Sequence, residues 1–173
     1  MYNVFSKRCV EIIKRIQSLG HEIGLHYDEK YNDSKESDTE EIIQAIKQEA
    51  EILSNVINHE IKVVSMHRPS TLTLERDYRF DDIENSNSKG FIEGFKYLSD
   101  SRMYWRENVE EAILSGQYEK LHISLHPEWY SEEGDTLYDN LLDFVDSAKK
   151  ERYQYLSENI YDFEAILCKE ETR

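Results

Sequence analysis

Little in this chain points to covalent cross-linking, to a membrane or to nucleic acid. Two cysteines, Cys9 and Cys168, stand near opposite ends of the 173 residues. That count and spacing argue against a disulfide framework and a paired-cysteine metal site, and suit a reducing compartment. No apolar run approaches the roughly 20 residues that a membrane span needs. Basic side chains are the minority, 21 against 36 acidic, for a formal net charge of −15. A surface of that sign repels phosphate backbones, so nucleic acid is not an expected partner. Basic or glycine-rich segments that would cradle a phosphate are also scarce. The opening "MYNVFSKRCVEIIKRIQSLG" interrupts its apolar positions with charge. It therefore reads as an amphipathic helix rather than a signal peptide, and a cytoplasmic location is expected.

What is present is an alternation of helix-like and strand-like segments over residues 1–173, a length that suits a single domain with a sizeable core. Val10, Ile13 and Ile16 recur at helical spacing ahead of Gly20, a usual helix stop. A strand follows from His21 to His26, then the polar loop "YDEKYNDSKESDTE". Asp38 with Glu41 forms a capping-box signature, and behind it Ile42, Ile46, Leu53 and Ile57 share one face of a helix reaching about Asn58. "KVVSMHR" is a second strand, and "PSTLTLERDYRFDDIENSNSKG" a long, weakly structured connection, of a length that is usually functional. "GFKYLSDS" reads as a third strand, "ENVEEAILSG" as a helix closed by Gly116, and "KLHISLH" as a fourth strand. From Thr136 to residue 173 the chain reads as a long C-terminal helix. Leu137, Leu141, Phe144, Val145 and Ala148 lie on one of its faces. Strands alternating with helices predict an α/β fold with parallel pairing, although four strands are few for a closed barrel.

The ends of those strands carry the chemistry. In "GHEIGLH" the alternation puts Ile23 and Leu25 on one face and His26 on the other. "KVVSMHR" presents His67 near its end, "KLHISLH" ends at His126, and Asp100 closes "GFKYLSD". In parallel α/β architectures the C-terminal strand ends gather on one rim, where ligands bind. One histidine there is more often structural, but three with an aspartate point to a metal or acid/base site.

The order "GHEIGLH", "HRPS", "SDS" with a following Trp105, and "SLHPEW" resembles the polysaccharide deacetylases, metal-dependent enzymes on a distorted (β/α) barrel. The likeness runs from about Tyr2 to Tyr130 and is nearest to a branch that builds surface polysaccharides. It implies that His26 is the primary metal ligand, with zinc the expected ion. The family's second histidine falls at Lys30, which is no ligand, so Asp28 or His67 is the expected replacement. His21 matches a position that does not bind metal and is expected to be structural. Arg68, followed by the rigid Pro69, matches the arginine that holds the catalytic aspartate. Asp100 falls in the region of the fourth motif, with an exposed loop carboxylate as the alternative. His126 matches the general acid. Trp105 lines the substrate groove or caps the core, and Trp129 is a sugar-stacking wall or a packing residue.

The resemblance implies hydrolysis of the acetamide of an N-acetylated carbohydrate or surface-glycan precursor. The metal would activate water, an aspartate would take its proton and His126 would protonate the departing amine. The family's aspartate pair lies on a first strand that has no counterpart ahead of His21. The expectation is therefore an incomplete barrel lacking that strand, weak or inactive as it stands, with exposed sheet edges that favour self-association. A glycan-binding relative without activity and a metal-dependent phosphoesterase are the rival expectations.

Overall fold

The computed structural model describes residues 4–29, 39–130 and 136–168. Asp38 and Lys30, singled out above, lie outside the described residues. The chain divides into two compact units, Met1–Lys96 and Tyr97–Arg173.

In the first unit, Ser6 starts α1 (Lys7–Ser18) by accepting a hydrogen bond from the Cys9 amide, and Gly20 at φ +90 follows its end. Ile13 packs against the core as its spacing predicts, whereas Ile16 is exposed. Strand β1 is Leu25–Tyr27, shorter than the segment expected and shifted toward its C-terminal end. Gly24 accounts for the start of the ladder. A Cβ there would lie 3.0 Å from the Val63 carbonyl oxygen, so only glycine fits at ease where the chain meets its neighbour. Helix α2 (Thr39–Ile57) buries Ile46, Ala50 and Ile57, with Ile42 and Leu53 packed beside them, the stripe that the sequence predicts. Strand β2 (Val63–Met66) pairs in parallel with β1, Leu25 opposite Val64, His26 opposite Ser65 and Tyr27 opposite Met66. Leu25, Tyr27, Val64 and Met66 therefore enter the core with Ile46, and His26 and Ser65 turn to the opposite face.

The connection after β2 is more structured than its composition predicts. It contains α3 (Thr71–Arg76), β3 (Glu84–Asn85) and α4 (Lys89–Gly94), and β3 extends the sheet by pairing in parallel with β2. Its polar residues satisfy backbone groups. Ser70 and Ser88 cap the two helices. The Asn85 side chain donates to the Tyr78 carbonyl, and the Met66 amide donates to Asn87. Glu29, just beyond β1, accepts from the Ser70 amide at 2.7 Å and from the Thr73 hydroxyl, tying the tip of β1 to the chain that leaves β2.

The second unit holds β4 (Lys96–Ser99, which begins at the boundary) beside β5 (Leu121–Ser124), with α5 (Val109–Leu114) between them in sequence. Asn108 caps α5 and Gly116 at φ +63 follows it. Helix α6 (Leu137–Asn159) begins in a capping box formed by Thr136 and Asp139, and α7 (Phe163–Ile166) returns Phe163 onto Tyr153. The predicted apolar face of α6 is not its buried one: Leu137, Leu141, Phe144, Val145 and Ala148 are exposed, while Asn140 and Tyr153 are buried. The class is thus α/β with short parallel sheets, and no closed barrel forms among the described residues.

Burial decides where truncation hurts. Ile46 is fully buried, so Ile46→Ala is expected to lower the unfolding free energy by about 2–5 kcal/mol. Leu141→Ala, on the exposed face of α6, is expected to change it by about 0.5 kcal/mol or less. Urea denaturation of both variants checks the contrast, and equal losses would mean that the α6 face is covered.

Candidate functional site

The pairing of β1 with β2 assembles the first cluster. His26 and Ser65 are direct cross-strand partners, and His67 follows the end of β2, its amide donating to the Tyr27 carbonyl at 2.7 Å. The His26 ring bridges the other two: Nδ1 lies 2.8 Å from Ser65 Oγ and Nε2 lies 3.0 Å from His67 Nδ1. The two imidazoles meet edge to face, centroids 5.1 Å apart. Local burial, and then the neighbouring His67, hold His26 below the ordinary histidine range, opposed by Asp28 and by Ser65. Neutral imidazole, the metal-binding form, is the state this environment favours. Asp28 lies two residues beyond His26, and its charge, second to burial, also helps push the Glu49 carboxyl on α2 upward.

Two nitrogens bound to one tetrahedral zinc at about 2.0–2.1 Å stand about 3.3 Å apart. The 3.0 Å separation of His26 Nε2 and His67 Nδ1 is close to that spacing, but the two nitrogens are hydrogen-bonded to each other, so a shared ion would require that bond to break and both lone pairs to turn toward it. Ser65 would then accept the Nδ1 proton of His26 and fix its tautomer, as outer partners of metal-bound histidines do. Among the described residues no group of three or more histidine, cysteine, aspartate or glutamate side chains is arranged to hold a metal. Asp28 is therefore an electrostatic neighbour of the histidine pair rather than a third donor in place. Arg68 is exposed, with its backbone in the left-handed region at φ 50, and His21 is exposed as well.

The second cluster belongs to the second unit. Asp100 follows β4, its amide donating to the Ser124 carbonyl of β5 at 3.3 Å. The residue is 1% exposed, so the exposed loop-carboxylate alternative fails on burial. Asp100 Oδ1 accepts from His126 Nδ1 at 2.6 Å. Oδ2 accepts from the His126 amide at 3.0 Å and from the Tyr130 hydroxyl at 2.9 Å. Burial pushes the carboxyl upward, but the bonds from the His126 ring, its amide and Tyr130 together outweigh it and hold Asp100 below the ordinary carboxylate range. An ionised Asp100 keeps the proton of His126 on Nδ1 and leaves Nε2 as the working nitrogen. A 3₁₀ turn at Pro127–Trp129 brings the chain back so that Tyr130 reaches Asp100. Trp129 stands 5.8 Å from the His126 ring, its carbonyl held by Asn140 of α6. Burial, and then Asp100, push the Tyr130 phenol upward, and the Trp105 side chain opposes that rise, an influence neither reading of that residue foresaw.

No protein-family model matches the chain, and neither curated proteins nor solved structures give a match.

The depressed Asp100 carboxyl carries a definite sign. Its contribution to stability is complete above its ordinary value of 3.8 and is lost as pH falls through the lower folded-state value. Asp100→Asn is expected to cost about 1.5–3 kcal/mol at pH 7 and to flatten the stability profile below about pH 4. Denaturant melts between pH 2.5 and 7 check it, and an unchanged slope in the variant would contradict the assignment.

Proposed function

We propose that the chain is of the metal-dependent polysaccharide deacetylase type, directed at the acetamide of an N-acetylated carbohydrate, with activity expected to be weak because no residue here matches the base aspartate of the resemblance. The observation that carries this reading is the Asp100–His126 pair. Two residues from separate motifs of the resemblance, 26 apart in sequence, are joined at 2.6 Å. A distorted (β/α) barrel is the fold that goes with it, and the parallel β1–β2–β3 sheet is consistent with that fold.

Each residue has a distinct part. His26 and His67 are the side chains that would hold a divalent ion, zinc being the first choice for imidazole donors. Such an ion would supply Lewis acidity when bound. His126 delivers a proton from Nε2 to the departing amine, while Asp100 holds the opposite ring nitrogen and balances the charge of the imidazolium. Trp129, beside His126, offers an indole face to a sugar ring. Trp105, engaged with Tyr130, is assigned to holding that network rather than to a groove wall.

Two substitutions separate the roles. His126→Ala is expected to reduce acetate release from N-acetylglucosamine oligomers by about 10²- to 10⁴-fold while zinc uptake stays near wild type. His26→Ala is expected to lose zinc uptake, measured by competition with a chromophoric chelator. Acetate release indifferent to His126→Ala would overturn the reading, and release of phosphate from phosphorylated sugars would favour a phosphoesterase.

A further inference from the structure

We propose that Tyr130 is a positioning residue for His126, acting through Asp100. This rests on the reading of His126 as a general acid and adds a residue to it. Three donors converge on the two oxygens of the Asp100 carboxylate, and their distribution is uneven. The His126 amide and the Tyr130 hydroxyl both take Oδ2, and Oδ1 is left to His126 Nδ1. The amide belongs to the same residue as the ring, so it cannot alone fix the carboxylate plane independently of that ring. Tyr130 supplies the independent donor, four residues on and across the Pro127–Trp129 turn. With Oδ2 engaged from two directions, rotation of the carboxylate is resisted and Oδ1 stays aimed at Nδ1.

The Tyr130 proton goes to Asp100, giving an ordered chain from Tyr130 through Asp100 to His126. Each bond in such a chain polarises the next. Burial, and then Asp100, push the Tyr130 phenol upward, with Trp105 opposing, so its proton is retained at neutral pH. Packing is a weaker explanation for the residue. The Tyr130 side chain belongs to a residue 56% exposed, and its hydroxyl is aimed at a carboxylate 1% exposed. Among the described residues, the titratable groups acting on Asp100 are His126 and Tyr130, so removing the phenol hydroxyl leaves only His126.

The test follows the Asp100 carboxyl by carbon NMR across pH, its resonance assigned by its loss in Asp100→Asn. Tyr130→Phe keeps the ring and deletes one donor, and is expected to raise the proton affinity of Asp100 about tenfold. Site-specific fluorotyrosine at position 130, a more acidic phenol and stronger donor, should shift it the opposite way. A purely structural role would not produce opposed shifts. An Asp100 midpoint unmoved by Tyr130→Phe overturns the proposal; if that variant does not fold, an unmoved midpoint with fluorotyrosine overturns it instead. In acetate-release assays, Tyr130→Phe is expected to lower kcat about tenfold with KM unchanged. Opposed Asp100 shifts in a protein that releases no acetate would remove the deacetylase reading and leave the Tyr130–Asp100 coupling in place.

Discussion

The parallel register between β1 and β2 is the constraint on which the first unit depends. Leu25 faces Val64 and Tyr27 faces Met66, and all four are buried with Ile46 beneath α2. Because side chains alternate along a strand, burying this set forces His26 and Ser65 to the opposite face, side by side. A slip of one residue would send the histidine into the core and Tyr27 out of it. The apolar contacts thus hold the imidazole in place. Gly24 protects that register by admitting the close approach to Val63.

In the second unit a buried charge takes the corresponding role. A carboxylate out of reach of water is costly unless it is fully hydrogen-bonded, and Asp100 meets that demand with three donors. All three come from His126 and Tyr130, residues within one turn of chain after β5. The need to satisfy one carboxylate therefore sets the conformation of the segment that carries the working imidazole. The same arrangement that orders the turn also fixes the tautomer of His126, so local structure and chemical role have one cause.

Much of this was legible in the sequence where periodicity and strand position carry information. The stripe Ile42, Ile46, Leu53 and Ile57 on α2 follows from helical spacing, and His26, His67, Asp100 and His126 stand out because each closes a strand-like segment. The elements between Ser70 and Gly94 were not legible, since they are short and polar. Their backbone groups are satisfied by specific side chains such as Asn85 and Asn87 rather than by a repeating pattern. Ser65 and Tyr130 were missed for a related reason: one matters only through its cross-strand partner, the other only through a turn. The face of α6 shows the opposite limit. Its spacing is regular, but periodicity identifies a face without saying whether anything packs on it, and here Asn140 and Tyr153 are the buried positions.

The two histidine clusters differ in electrostatic character, and that difference assigns their chemistry. His26 lies in a partly desolvated spot beside another imidazole, a setting that disfavours the cation and keeps a nitrogen lone pair available. His126 lies against a carboxylate that accepts from its Nδ1, so Nε2 is the nitrogen that carboxylate leaves unengaged. Environments that separate like residues in this way are how a protein draws distinct roles from one side-chain type. The net charge of −15 adds a further bias, since its field repels anionic substrates and leaves neutral ones unopposed.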